Sequence, residues 1–370
     1  MRIHTSRHAN LLLSVSVLGA QLAASKPLSF IPRQVESNGT YVTGPVMAQN
    51  FPDPSIVYAE GYWWAFATMD QNINIQVARS SDFQEWTYLS GVDALPDPPN
   101  WVNMATPNTW APDVNVLDDG TYVMYFSATT TNDTTKHCVG AAKSSTVEGP
   151  YTPVNGTLAC PLDQGGAIDA SGFKDWETRG TGWGPGNYFS NDTGDDNSYS
   201  NPEWGQRYIV YKVDGNAIGN GGLCGNTIEP IVGTPLMLLA VAADGVTPQG
   251  SPVQLLDNAG VSDDGIVEAP ALVKTYDGEY VLFFSSGCYS TDNYTVSFAM
   301  SSGGVTGPYQ RADGPLLKSG DVDGQLVAPG GMDVHWDATR MVFHERESAE
   351  PLVRQMWAAQ IKIGNGTVQV

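Results

Sequence analysis

Residues 51–66 read FPDPSIVYAEGYWWAF, and the plan of that stretch decides the fold. Asp53 sits between Pro52 and Pro54, a short apolar run follows, Glu60 and Gly61 make a turn, and an aromatic run ends at Phe66. Each proline fixes its own φ and pushes the residue before it toward extended geometry, so Asp53 is expected to be held extended. A single Asp-Pro is an ordinary turn opener. Here the plan recurs. WAPDVNVLDDGTYVMYFSA (110–128), IVEAPALVKTYDGEYVLFFSSG (266–287) and PGGMDVHWDATRMVFHE (329–345) each run through acid, apolar residues, an Asp- or Gly-containing turn and an aromatic strand. AIDASGFKD (167–175) starts the same way, but residues 174–206, rich in Gly, Asn and Asp, swell its turn before the strand resumes as RYIVYKV.

Each unit is thus a hairpin. A further strand with small residues follows each one: IQVARSSD, HCVGAAKSS, LMLLAVAAD, TVSFAMSS and MWAAQIKI. Without the insertion the repeat is roughly 60 residues, a period that suits four-stranded propeller blades. The expected fold is all-β, a five-bladed β-propeller of four-stranded antiparallel blades over residues 41–370. In such a ring the first strand of every blade lines the central channel. Asp53, Asp113, Asp169 and Glu268, with Asp333 as the fifth, are therefore expected to meet at one mouth. Gathering carboxylates is electrostatically costly, which points to chemistry rather than architecture.

Composition agrees with short strands and tight turns: 40 Gly and 24 Pro in 370 residues, and only 15% charged. The net charge of −21 opposes phosphate backbones and anionic lipid, so neither nucleic acid nor membrane is an expected partner. Arg2 and Arg7, an apolar run from Leu11 to Leu18 and small residues at Ala23 to Ser25 form a signal-peptide pattern over 1–25. Residues 26–40 are read as a lead segment. Sequons begin at Asn38, Asn132, Asn155, Asn191, Asn293 and Asn365, and four cysteines allow two disulfides. The short Cys138–Cys160 loop is the preferred pair. Secretion to the extracellular space and a glycosylated, monomeric chain follow as expectations.

FPDPS, WAPDV, IDAS and EAP, one per blade and in order, resemble glycoside hydrolase family 43, the five-bladed arabinanases, arabinofuranosidases and xylosidases. The resemblance implies Asp53 as general base, Asp169 as the third carboxylate that tunes and orients the acid, and Glu268 as general acid. It implies Asp113, His344 and Arg354 as substrate-pocket residues, and hydrolysis with inversion. Phe51 and Trp110 flank motif residues and are candidates to stack on sugar rings. Of the adjacent Trp63 and Trp64 at most one can face the channel, and Trp86 is expected in the core. The family's fifth-blade Gly-Pro-Gly-His, whose histidine approaches an ion, is here APGGMD with Gly331 in the histidine's place. No metal and no cofactor are expected, and His335 is read as a strand residue.

The expected substrate is plant cell-wall polysaccharide or oligosaccharide. Arabinan comes first, cut by an arabinan endo-1,5-α-L-arabinosidase or α-L-arabinofuranosidase activity. The alternatives are a β-xylosidase on xylo-oligosaccharides, a retaining fructan hydrolase with Asp53 as nucleophile, and a sugar-binding propeller without catalysis. The full set of three carboxylates argues against the last, since a lectin needs neither acid nor base.

Overall fold

The runs read as strands form strands, and they assemble in chain order. The computed structural model of the protein describes residues 35–37, 40–176 and 205–370. The signal-peptide pattern, most of the lead segment and of the 174–206 insertion, and the sequons at Asn38 and Asn191 lie outside those residues. After two N-terminal strands, β1 (Val35–Ser37) and β2 (Thr40–Met47), the first blade comprises β3 (Ser55–Ala59), β4 (Tyr62–Ala67), β5 (Gln76–Ser80) and β6 (Trp86–Tyr88). The second comprises β7 (Trp110–Val116), β8 (Tyr122–Thr129), β9 (His137–Ser144) and β10 (Thr152–Pro153). The third comprises β11 (Ala167–Trp176), β12 (Gly205–Val213), β13 (Leu236–Val241) and β14 (Val253–Leu256), and the fourth β15 (Val267–Lys274), β16 (Tyr280–Ser286), β17 (Thr295–Ser301) and β18 (Gln310–Arg311). Each is an antiparallel meander, so the protein is a five-bladed β-propeller.

The fifth blade departs from the simple repeat. The end of the chain supplies β19 (Gly330–Val334), β20 (Arg340–Ala349) and β21 (Leu352–Gln360), and the start supplies the outer strand: β2 pairs antiparallel with β21, and the short β1 extends the sheet to five strands. The two ends of the ring are therefore sewn together by backbone hydrogen bonds.

One apolar cluster lies between each pair of neighbouring blades. Trp64 and Phe66 of the first blade meet Met124 and Phe126 of the second. Tyr125 meets Ile209 and Tyr211, Val210 meets Leu282 and Phe284, and Phe283 meets Phe343 and Trp357. Met47, Val342 and Met356 close the circle against Ile56 and Trp63. Second strands are sandwiched on both faces, which is why YVMYF and YVLFF lack polar alternation and why all eight residues of β8 are buried. Third strands carry small residues because rings press on them: a Cβ at Gly140 would lie 2.5 Å from the Trp101 ring. The disulfides are Cys138–Cys160, from β9 to the loop after β10, and Cys224–Cys288, from the third blade to the fourth.

The first strands contain the feature that places the site. Four of them slip register against their partner, between Trp110 and Asp113, Ile168 and Ser171, Glu268 and Ala271, and Gly330 and Asp333. One residue at the corresponding point of every blade takes positive φ: Asp53 (51°), Ala111 (42°), Asp169 (57°), Ala269 (48°) and Gly331 (54°). Asp53 is thus left-handed, not extended, just before β3 begins.

The bulge in the first strands staggers the expected ring of five acids, although Asp53, Asp113, Asp169 and Asp333 still line one small space between them. Asp53 and Asp169 are themselves the left-handed residues, Glu268 lies one position before its own, and Asp113 and Asp333 lie two positions after theirs. Two residues along a strand are about 7 Å. Asp113 and Asp333 line a narrower space farther down the channel, with Asn115, Lys174 and His335. There they tie neighbouring first strands together, Asp333 accepting the Ile56 amide at 2.7 Å and Asp113 the Gly172 amide. Burial pushes Asp113 up to about 6, and burial with the Asp113 charge pushes Asp333 up to about 8.

Candidate active site

A cavity of about 710 Å³ opens at the mouth, with Asp53, Asp169 and Glu268 in its lining. Trp110 and Arg354 also face it. The bulge geometry brings these side chains together, and amide hydrogen bonds hold each bulge. The left-handed residue of each blade donates its N–H to a side chain of the preceding blade. Ala111 donates to Thr68, Asp169 to Ser127 and Gly331 to Ser285, each at 2.9 Å, and Asp53 donates to His344 Nδ1 at 3.1 Å. Left-handed backbone at a non-glycine residue costs on the order of 1–3 kcal/mol, and these bonds offset part of it. In the third blade the matching second-strand position is Lys212, opposite Ile168. An ammonium cannot accept an N–H. The Ala269 amide instead donates to Asp169 Oδ2 at 2.9 Å, so a candidate catalytic carboxylate also holds the backbone beside Glu268.

Asp53 is the best-partnered acid. Oδ2 accepts from Thr68 Oγ1 at 2.7 Å and Oδ1 from Arg354 Nη1 at 2.9 Å. Burial alone would raise its pKa, but the Arg354 guanidinium, His344 and the Thr68 hydroxyl together hold it below the usual carboxylate range. His344 is pushed down to about 3 by burial and by Arg354, so it is neutral. Since its Nδ1 accepts the Asp53 amide, the proton sits on Nε2.

Asp169 is the opposite case. Burial and the neighbouring Glu268 charge push it up to about 8, with Lys212 opposing. Glu268 accepts the Tyr294 hydroxyl on Oε1 and Lys212 Nζ on Oε2, both at 2.9 Å. Lys212 has no exposed surface and also pairs with Asp214 at 3.0 Å.

The walls come from loops. The disulfide Cys224–Cys288 joins a third-blade loop to a fourth-blade loop, and Cys224, Tyr289 and Ser290 line the cavity. On the opposite side the Trp110 ring stacks on His137, centroids 3.8 Å apart and planes 24° apart. Burial lowers His137 to about 4, so this platform is uncharged near neutral pH.

Three expected pocket residues are not at the pocket surface. Phe51 is fully buried in the core between the fifth and first blades, edge-on to Tyr88, because its backbone N–H is taken by the Arg354 carbonyl and its ring is turned under the rim. Asp113 lies down the channel for the reason given above. His344 is fully buried behind Asp53 and holds that residue's backbone rather than facing the opening. Of the tryptophans, Trp63 and Trp64 are both buried in inter-blade cores and neither lines the opening, whereas Trp86 packs against the Trp63 cluster as expected. His335 sits on the far side of the same layer, edge-on to Trp63.

Sequence reasoning missed Lys212, Asp214, Tyr294, Thr68 and His137. A lysine inside the apolar strand RYIVYKV was a readable signal, since a buried ammonium needs carboxylate partners. The others carried none.

The resemblance implied a metal-binding position in the fifth blade, and the residues do not fit one. A Cβ at Gly331 would meet His344 Cε1 at 2.5 Å and Asp53 Oδ1 at 2.7 Å. His344, filling that space, has spent its Nδ1 lone pair on an amide and carries a proton on the other nitrogen. Among the described residues no group of three or more His, Cys, Asp or Glu side chains is arranged to hold a metal.

Known proteins bear on this geometry directly. The family model described as glycosyl hydrolases family 43 matches residues 42–202. An extracellular endo-α-(1→5)-L-arabinanase of Thermotoga petrophila is 33% identical over 132 residues, 30% of this chain and 26% of that one. Extracellular endo-α-(1→5)-L-arabinanase 2 of Bacillus subtilis is 25% identical over 305 residues, 76% of this chain and 54% of that one. The matches thus span about half or less of these relatives' own length. The solved native arabinanase of Bacillus subtilis superposes with a TM-score of 0.61 at 18% identity, covering 88% of this chain and 98% of that one. With motif carriers in four successive blades, Asp53, Asp169 and Glu268 at one mouth of a five-bladed ring, and the family model matching from the N-terminal strand into the third blade, the chain is similar to glycoside hydrolase family 43 in sequence over residues 42–202 and carries the five-bladed ring throughout.

Proposed function

We propose that the protein is a secreted hydrolase of arabinose-containing plant cell-wall polysaccharide or oligosaccharide, with arabinan the first substrate, working by inversion as a monomer without a cofactor. The observation that carries the reading is the contrast between carboxylates around one cavity. Asp53 is held ionised by Arg354, as a base must be, while burial and the adjoining Glu268 charge favour a proton on Asp169, beside the candidate acid. Asp53 takes a proton from water as its oxygen attacks the anomeric carbon. Glu268 gives its proton to the departing glycosidic oxygen, and the sugar configuration inverts. Asp169 orients the acid by holding the Ala269 amide beside it. Trp110, stiffened by the neutral His137 behind it, offers a flat apolar face to a pentose ring. The arabinanase names of the similar chains support the substrate, and their extracellular description supports secretion.

The test is incubation with linear arabinan, branched arabinan, arabinoxylan and xylo-oligosaccharides, reading products by length and their first-formed anomer by NMR. Inverted arabinose or arabino-oligosaccharide is expected from wild type and none from Asp53→Ala. Retained configuration, or cleavage of xylo-oligosaccharides alone, would overturn the reading.

A further inference from the structure

We propose that Lys212 is a positioning residue for the general acid: it fixes the Glu268 carboxyl and takes up the charge that appears there when the acid gives away its proton. The inference rests on the assignment of Glu268 as acid, and the test below separates the two. Four of the five blades place Thr68, Ser127, Ser285 or His344 at the matching position of the second strand or directly after it, where each accepts an amide from the next blade. The third blade alone places a lysine there, gives up that amide bond, and buries the ammonium completely. Architecture gains nothing from this exchange, because a hydroxyl does the same structural task in the neighbouring blades. What the exchange supplies is a cation 2.9 Å from Glu268 Oε2 and 3.0 Å from Asp214 Oδ1.

The groups around Lys212 set its behaviour. Glu268 on β15, Asp214 just after β12 and Asp169 on β11 all face it, and together they raise its pKa against the opposing effect of burial, so it stays charged. Tyr294 holds the other oxygen of Glu268. His137 lies near Asp214 and is neutral; Asp53, with Arg354 and His344, lies across the cavity. In the reaction the proton leaves Glu268 for the glycosidic oxygen, the bond from that oxygen to the anomeric carbon breaks, and Asp53 receives the proton of the attacking water. Glu268 ends as a carboxylate between Lys212 and Tyr294, both donors already in place, so no reorganisation accompanies the charge.

The test compares pH profiles of kcat/KM for wild type, Lys212→Met and Asp214→Asn on a linear arabino-oligosaccharide, with Glu268→Gln alongside. Lys212→Met removes the cation and keeps the apolar stem. The alkaline limb, set by the acid, is expected to move upward by about one pH unit or more, and the peak rate to fall about ten-fold or more. Asp214→Asn frees the Lys212 charge for Glu268, and the same limb is expected to move downward. Opposite shifts are a signature that a merely structural lysine would not produce. If Lys212→Met fails to fold, Asp214→Asn still decides. An alkaline limb that stays put in either folded variant, while Glu268→Gln is inactive, overturns the role of Lys212. Activity retained by Glu268→Gln on natural linkages would instead overturn the assignment of the acid.

Discussion

Replacing Arg354 by methionine should move one limb of the pH profile and leave the other in place. Arg354 Nη1 lies 2.9 Å from Asp53 Oδ1, and the two side chains are 15% and 18% exposed. Charge centres about 4 Å apart at an effective dielectric near 20 attract by about 4 kcal/mol, a ceiling of about three pKa units. Partial exposure screens that figure, and Thr68 and the His344 contact remain, so a rise of about one to two units in Asp53 is expected. The sign is fixed by the direction of the native shift. Asp53 is held low; in the proposed role it is a base when ionised, so raising its pKa removes activity from the acid side first. The acidic limb of kcat/KM should therefore move up by about one to two pH units, while the alkaline limb stays. Stability follows the same sign. A depressed carboxylate stabilises the fold above its unfolded pKa and loses that contribution as pH falls through the folded value, so the variant should unfold at a higher pH on acidification. Arg354 also faces the cavity, so the height of the profile can fall through lost substrate contact; the limb's position is the diagnostic reading. Arg354→Lys, which keeps the charge, should leave the limb near that of wild type. An Arg354→Met profile whose acidic limb superimposes on wild type would refute the assignment of Asp53 as the base.

Further outcomes follow from the same geometry. Glu268→Gln should abolish cleavage of natural linkages and spare aryl glycosides, whose leaving groups need little protonation; equal losses on both would argue against the acid role. Asp169→Asn leaves Glu268 with no second carboxyl to share a proton with, so the alkaline limb should move toward acid pH with a lower peak, and an unmoved limb would reduce Asp169 to a holder of the Ala269 amide. Trp110→Ala should raise KM for oligosaccharides about ten-fold while changing kcat little, read by steady-state kinetics, since it removes a flat contact made equally in ground and transition states. Exhaustive EDTA treatment should leave activity unchanged; loss restored by calcium would show that another group replaces the side chain Gly331 lacks.

The blades were readable because hairpins repeat as whole units: an acid, a turn and an aromatic strand survive any local irregularity. What could not be read was the phase of the acids. Asp53, Asp113 and Glu268 look equivalent near their prolines, yet Asp53 occupies the left-handed position, Glu268 lies one residue before it and Asp113 two after it, enough to send Asp113 down the channel. Periodicity assumes regular strands, and a bulge breaks that assumption at the very point where the site is built. Phe51 was misread for a related reason: adjacency to Asp53 in sequence does not carry a side chain to the same side of a turned chain. The outer strand of the fifth blade was hidden because TYVTGPVM near the start has no hairpin partner close by; its partner, β21, lies some three hundred residues away, and local pattern holds no record of so remote a pairing.

That remote pairing governs the order in which the protein can become active. Translation delivers β2 and Asp53 early, but their companions, His344, Arg354 and β21, emerge some three hundred residues later. Until then the first blade has an open apolar flank and Asp53 has neither the amide acceptor nor the guanidinium that hold it ready. If Asp53 is the base, as proposed, the nascent chain is expected to be catalytically silent however many blades have already formed. The partners of Asp53 and the strand that completes the circle arrive together, so on the proposed roles the appearance of turnover during refolding should time the moment the circle closes.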